Sequence, residues 1–254
     1  MATTSSLPVS TILRTVWDDL GELSVRLRSQ SIIACASAAF FALIGAIPAI
    51  SDNRMLAEVF DLMGTFVLVP YEIAIYRLLI LGEAASGYRF DISTVRFQRM
   101  LGWTAGFWVL GKLPLHLPDA VAPSEGAEVF ISVVLFALVI FALLRLTIFL
   151  ASIAVDAPGA SVRNVFADTG GHTWLIVKAY FITLLPFLLI VISTVGLAWL
   201  GGAHDIRSGN GALAADVFAG LLGFLIWTCC VIVSAWPFMK IGDRVKRSGP
   251  EGSE

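Results

Sequence analysis

Glu72, Arg77 and Arg145 are ionisable side chains that stand inside long apolar stretches of the sequence. A charge inside a bilayer is costly unless it is paired, hydrated or close enough to reach the headgroups, so such residues commonly mark transport or proton-transfer sites. These three are therefore the candidate substrate-binding residues, and Glu72 is expected to meet Arg145 across neighbouring helices. The alternative is an ion pair that fixes helix register, with Arg77 reaching the headgroups. We favour this structural interpretation because both arginines occupy positions that repeat along the chain.

The sequence shows few residue patterns typical of catalysis, metal binding or disulfide formation. It contains no HExxH motif, and no GxSxG or GxSG motif accompanied by a histidine. His116 and His204 lie close to acidic residues but lack a recognised metal-ligand spacing. The three cysteines lie in apolar runs and do not form a disulfide framework. We therefore expect no catalytic residues, no metal site and no cofactor, and we predict that the protein is not an enzyme.

The elements that must position these residues follow from composition. The chain has 254 residues, of which 57% are apolar and 14% are charged, and its mean hydropathy is +0.85. These values predict an all-α integral membrane protein with six transmembrane helices in a single membrane domain, residues 1–254. The third span carries Lys112, Pro114 and His116 and is the least regular. The predicted segments are an amphipathic arm at 1–30, spans near 31–50, 59–81, 100–117, 128–155, 173–200 and 212–239, and a basic tail at 240–254.

The distribution of basic residues predicts the orientation, because Lys and Arg are retained on the cytoplasmic side during insertion. The arm, the second and fourth loops and the tail carry eleven basic residues, and the other three loops carry two. Both termini are therefore predicted to be cytoplasmic, and the tail is expected to attract anionic lipid. The net charge of -2 gives no basic surface for nucleic acid. The eleven basic residues on the predicted cytoplasmic side are Arg14, Arg26, Arg28, Arg89, Arg96, Arg99, Arg163, Lys240, Arg244, Lys246 and Arg247.

Sequence similarity within the chain indicates a repeat of two-span units. RLLI at 77–80 matches RLTI at 145–148, and Val95-Arg96 matches Val162-Arg163, which gives a period near 70 residues. Each unit is expected to begin with a short amphipathic cytoplasmic helix. In the first unit its apolar stripe either lies in the membrane interface or caps the helix bundle, and the sequence leaves both open. The stripe comprises Leu7, Val9, Ile12, Leu13, Val16, Trp17, Leu20, Leu23 and Leu27.

The span-loop-span plan, and most specifically the stretch AVDAPGASVRNVFADTGGHTW at 154–174, resembles uncharacterised bacterial six-span membrane proteins. Those proteins are related to the membrane domain that accompanies some glycerophosphodiester phosphodiesterases. The resemblance implies a multi-pass protein of the bacterial inner membrane. We predict that the protein organises membrane lipids or protein partners, including copies of itself, without catalysis. The alternative is a transporter or permease with a polar site between spans two and four.

Overall fold

The computed structural model describes residues 9–121, 124–200 and 210–247, and every regular element in these ranges is helical. This confirms the all-α class. The helices are α1 (Val9–Arg26), α2 (Arg28–Gly45), α3 (Pro48–Ser51), α4 (Arg54–Leu81), α5 (Val95–Val121), α6 (Glu125–Ala154), α7 (Val162–Thr169), α8 (Thr173–Leu200), α9 (Asn210–Ile241) and α10 (Asp243–Lys246).

Five of these helices are long and apolar enough to cross a membrane: Arg28–Gly45, Arg54–Leu81, Glu125–Ala154, Thr173–Thr194 and Ala215–Ile241. They identify a multi-pass membrane protein. The predicted third span lies within α5, which is 27 residues long but does not reach the same apolarity. Its first turns carry Arg96 and Arg99, and its second half carries Lys112 and two prolines. The described residues therefore contain five candidate spans, and the sixth stays a prediction.

The first predicted span ends earlier than expected, and the reason is local. Ile47 is extended, with φ -68° and ψ 126°, because it precedes Pro48, whose ring disfavours a helical conformation in the residue before it. The helix therefore ends at Gly45, and Pro48 begins the separate short helix α3. The predicted boundary at residue 50 was wrong by about one turn of helix.

The chain divides into two compact units. The first unit comprises Met1–Arg89 and Val177–Ala235, and the second comprises Phe90–Ile176 and Trp236–Glu254. In the first unit, α2 and α4 pack together, and α9 approaches α2 closely at Gly220. A Cβ on Gly220 would lie 2.5 Å from the Cβ of Ala42, so the absence of a side chain permits this approach.

Helix α1 packs within the first unit through the stripe predicted from sequence. Ile12, Val16, Leu23 and Leu27 are all buried, which favours the capping alternative for this part of the stripe. Trp17 stacks on Phe187 of α8 with ring centroids 6.3 Å apart and keeps 46% of its surface exposed. Leu7 of the predicted stripe lies outside the described residues.

The second unit is built on the pair α5 and α6. Trp103, near the start of α5, meets Phe149, near the end of α6, with ring centroids 4.7 Å apart, so the two helices run antiparallel. Helix α7 packs on α6, and α10 packs on α7. The turn before α7 also holds α10, since the Gly159 N–H donates to the Val245 carbonyl at 3.0 Å. A Cβ on Gly159 would lie 2.3 Å from the Arg244 carbonyl oxygen, so only glycine fits there.

The structure does not confirm the two-span repeat. Helix α7 begins at Val162 as the pattern indicates, and Gly170 and Gly171 separate it from α8. Gly171 adopts a left-handed conformation with φ +81°, which ends one helix before the next begins. The matching segment from Val95 has no such break and continues as one helix, α5. The predicted amphipathic helix and the third span are therefore a single element.

Candidate functional site

Glu72 lies deep in the first unit, on α4 two residues after Pro70, with 4% of its surface exposed. Its carboxyl group is hydrogen-bonded to the hydroxyl of Tyr76, one turn further along the same helix. The Tyr76 hydroxyl is 2.6 Å from the Ser234 hydroxyl of α9. All three side chains are buried, so Glu72, Tyr76 and Ser234 form an interior polar chain.

The Ser234 hydroxyl also contacts Tyr180, which donates to the Cys230 carbonyl at 3.3 Å. The hydrogens of Glu72, Tyr76 and Ser234 alone allow two arrangements. The Ser234 hydroxyl donates to the Val231 carbonyl at 2.7 Å, which leaves its oxygen to accept from Tyr76. Tyr76 then has no hydrogen left for Glu72, so Glu72 must donate, which requires a protonated carboxyl. If Ser234 donates to Tyr76 instead, Tyr76 can donate to a carboxylate. Reorienting two hydroxyls therefore accommodates either protonation state of Glu72.

Arg77 lies near the end of α4 and forms a salt bridge with Glu83, six residues further along the chain. Gly82 makes this contact possible, because its left-handed φ of +72° turns the chain back and lets the Glu83 N–H bond to the Arg77 carbonyl at 3.2 Å. The Glu83 side chain is 54% exposed and that of Arg77 is 24% exposed. This contact ties the helix to the loop that follows it.

Arg145 lies on α6, in the second unit, and holds α7. Its Nε donates to the Thr169 hydroxyl at 3.1 Å, and its guanidinium also donates to the Phe166 carbonyl. The guanidinium carbon lies 5.1 Å from the centre of the Phe166 ring and 5.7 Å from that of Phe141. These contacts satisfy the charge with a backbone carbonyl, a hydroxyl and aromatic faces.

The three predicted site residues thus have separate local partners. Glu72 and Arg77 are on α4 in the first unit, where Glu72 contacts Tyr76 and Arg77 contacts Glu83. Arg145 belongs to the second unit, and its contacts with α7 lie within that unit. The pairing of Glu72 with Arg145 stays a prediction. The structural interpretation of the two arginines, an ion pair with Glu72 for Arg145 and headgroup contact for Arg77, likewise stays a prediction.

Sequence reasoning missed Asp168, a buried acidic residue of the second unit. Its side chain is 4% exposed, and one oxygen accepts from the N–H groups of Arg244 and Val245 at 2.9 and 3.1 Å. Those N–H groups belong to the first turn of α10, whose own N-cap residue, Gly242, has no side chain to accept them. Asp168 therefore caps α10 from 76 residues away. The available sequence signal was a helix start without a local capping residue.

Capping by Asp168 holds α10 against α7, and exposed basic side chains lie on or next to both helices. We call Arg163 of α7 with Arg244, Lys246 and Arg247 the basic platform; all four are exposed. Lys246 donates to the Met239 carbonyl at 2.7 Å and lies 5.5 Å from the centre of the Phe238 ring, which fixes its position. The exposed acidic residue in α10 is Asp243, so the positive charges outnumber it. The platform is suited to contact with anions.

Comparison of the chain with family models, curated proteins and solved structures gives no match. The resemblance of the segment 154–174 to bacterial six-span proteins therefore stays a prediction.

Proposed function

We propose that this protein is a non-enzymatic, multi-pass inner-membrane protein that gathers anionic lipid at the cytoplasmic face through its basic platform. The observation that carries the proposal is the capping of α10 by Asp168, which holds the segment with Arg244, Lys246 and Arg247 against α7, the helix that carries Arg163. A folded platform loses less conformational entropy on binding than a flexible tail does. Each exposed basic residue near an anionic surface contributes about 1 kcal/mol.

The connections between helices also support a role without catalysis. The described connections are short, and the longest, residues 82–94, has thirteen residues. They leave no space for a soluble catalytic domain among the described residues. The orientation that puts the platform on the cytoplasmic side comes from the distribution of basic residues along the chain.

The test measures which lipid collects around the protein. The protein is placed in bilayers of phosphatidylcholine and phosphatidylglycerol, and spin-labelled analogues report the lipid in contact with it. We expect enrichment of phosphatidylglycerol that falls as salt is added, because screening weakens exposed charges. Replacing Arg163, Arg244, Lys246 and Arg247 with Gln is expected to remove most of the enrichment.

The matched control is Arg54→Gln, at the other end of a membrane helix from the predicted cytoplasmic side. It removes a positive charge and is expected to leave the enrichment nearly unchanged. Equal amounts of both lipids around the wild-type protein, or enrichment that survives the fourfold substitution, would overturn the proposal. Enrichment lost equally in the control would mean that net charge, rather than the platform, determines lipid contact.

A transporter is the second candidate function, and the interior polar chain is the observation that favours it. The two hydrogen-bond arrangements of Glu72, Tyr76 and Ser234 allow a proton to be held or released inside the first unit. Infrared spectroscopy in lipid tests this, with Glu72→Gln identifying the carboxyl band. A transport role requires that this band titrates and exchanges in heavy water. A band that does neither identifies a structural group.

A further inference from the structure

The first unit contains a cavity of about 380 Å³ that the interior polar chain does not use. It lies between the second half of α2, the first half of α4 and the segment Gly220–Trp227 of α9. Its size falls within the range of small-molecule sites, about 300–1,000 Å³. These helix segments share one end of the first unit, which is the predicted external side.

Asp61 provides the charge of this cavity. It lies seven residues after the start of α4, about 10 Å along the helix axis. Among the described residues that line the cavity, Asp61 is acidic and none is basic. Asp61 takes part in another interaction as well, but a carboxylate has about four lone-pair sites and can share them with a ligand. Asp61 is exposed, so a ligand can reach it.

The hydroxyl of Thr65, beside Asp61, also favours a positively charged ligand. Thr65 lines the cavity, and its hydroxyl donates to the Asp61 carbonyl at 2.9 Å. That bond uses the only hydrogen of the hydroxyl, so its oxygen can make further hydrogen bonds only as an acceptor. The polar groups described here therefore favour a cation over an anion.

Aromatic rings form much of the remaining wall. Phe41, Phe60, Phe224 and Trp227 line the cavity, and Phe224 and Trp227 stack with their ring centres 6.3 Å apart. The face of an aromatic ring carries partial negative charge and attracts cations, and trimethylammonium groups are commonly recognised by such rings. A carboxylate with several rings suits a cation that is too bulky and apolar to be strongly hydrated.

We infer that this cavity, between α2, α4 and α9, binds a quaternary ammonium group, with Asp61 as its counter-ion and Phe60, Phe224 and Trp227 as its aromatic wall. Two sources can supply this chemistry: the choline headgroup of a lipid, and a free organic cation that reaches the cavity from the predicted external side. The inference does not depend on the basic platform, which lies in the other unit.

The first experiment measures binding of benzyltrimethylammonium to the protein in nanodiscs without choline lipids, by equilibrium dialysis. We expect saturable binding, and at least tenfold weaker binding of neopentylbenzene, its uncharged carbon isostere. Asp61→Asn is expected to weaken binding of the cation at least tenfold. The control is Asp216→Asn, which removes an exposed carboxylate of α9 outside the cavity lining.

A second variant tests the cavity without changing charge. Gly223 lines the cavity, and a Cβ added there meets nothing within 4 Å, so Gly223→Leu should occupy the space without disturbing the helices. We expect it to abolish binding. Gly106→Leu is the matched control, because Gly106 of α5 also has open space around it but does not line the cavity.

The lipid composition distinguishes the two sources. If choline headgroups enter the cavity, nanodiscs of phosphatidylcholine will weaken binding of the free cation by competition. Equal binding in both kinds of nanodisc assigns the site to free cations. The inference is overturned if binding is not saturable, if the uncharged isostere binds equally well, or if both Asp61→Asn and Gly223→Leu bind like the wild type.

Discussion

Glu72 in the first unit and Asp168 in the second are both buried carboxyl groups, yet their surroundings differ in kind. Asp168 accepts hydrogen bonds from two backbone N–H groups at the start of α10 and lies 4.0 Å from the Arg244 guanidinium. Glu72 is hydrogen-bonded to a tyrosine hydroxyl that continues to a serine hydroxyl. Backbone N–H groups cannot reverse their direction, but hydroxyls can. The hydrogen-bonding neighbours of Asp168 are therefore fixed donors, whereas those of Glu72 accept either protonation state.

The same contrast separates the two arginines that match in sequence. Arg145 bonds to α7, on another helix, and joins two elements of the second unit. Arg77 bonds to Glu83, in the loop that directly follows its own helix. Similar sequence positions thus have different consequences for tertiary structure. Substitutions can establish whether charge stabilises the second unit and is dispensable in the first.

The largest effect is expected for Asp168→Ala. The substitution leaves the N–H groups of Arg244 and Val245 without an acceptor at a buried site, and should cost about 2–3 kcal/mol. Limited proteolysis should cleave the chain near α10 faster, and the thermal unfolding midpoint in detergent should fall. Asp243→Ala, at an exposed position in α10, is the control and should have little effect. Equal protease resistance in both variants would contradict capping by Asp168.

The next largest effect is expected for Arg145→Met. Loss of the bonds to Thr169 and Phe166 should lower the free energy of unfolding by about 1–2 kcal/mol. Arg77→Met removes a partly exposed ion pair and should cost less than about 1 kcal/mol. Denaturant titration of the two variants measures the difference. If Arg77→Met costs as much as Arg145→Met, the distinction between the two arginines fails.

A smaller effect is expected for Glu72→Gln. Glutamine keeps a donor and an acceptor for Tyr76, so the interior polar chain stays satisfied and the free energy of unfolding should change by less than about 1 kcal/mol. Glu72→Leu is the contrasting variant, because it leaves the Tyr76 hydroxyl with one partner fewer. Thermal unfolding in detergent compares them. A large loss of stability in Glu72→Gln would show that the charge itself is needed.

The smallest effect is expected for Asp19→Asn in α1, and this substitution should stabilise the protein, whereas those above should destabilise it. Burial, followed by the neighbouring charges of Glu22 and Asp18, raises the pKa of Asp19 to about 6. A carboxyl group whose pKa is higher in the folded protein stabilises the fold when protonated, and this contribution is lost as pH rises through that value. Asp19→Asn should therefore raise the unfolding midpoint near pH 8 and leave it almost unchanged near pH 4. A gain of the same size at both values would refute this explanation.

Most helix boundaries were predictable from sequence, because apolar runs in a membrane protein end where charges or turns begin. The prediction for span two ended at residue 81, and α4 ends at Leu81. The boundary at Ile47 and Pro48 was missed because the surrounding residues are apolar, so hydropathy continued across a conformational break. Helix α5, which contains the predicted third span, is less apolar than the five candidate spans. Lys112 and the two prolines, which are visible in the sequence, account for this.

The candidate residues were easier to find than their partners. Glu72, Arg77 and Arg145 stand out because charges are rare in apolar runs, and composition alone reveals them. Their contacts depend on packing between distant segments. Asp168 lies in a polar segment, where an acidic residue does not stand out. It accepts hydrogen bonds from backbone N–H groups, which have no sequence signature. The cavity at Asp61 depends on the space between three helices, which a linear pattern does not encode.

The capping of α10 by Asp168 also determines when the protein can finish folding. Arg244 follows Asp168 by 76 residues, which take about 4–15 s to synthesise. During that interval Asp168 lacks the two N–H donors that it has in the folded protein, and α7 lacks α10 as a neighbour. The segment that carries Arg244 and Val245 therefore completes a surface whose other half was made two membrane helices earlier.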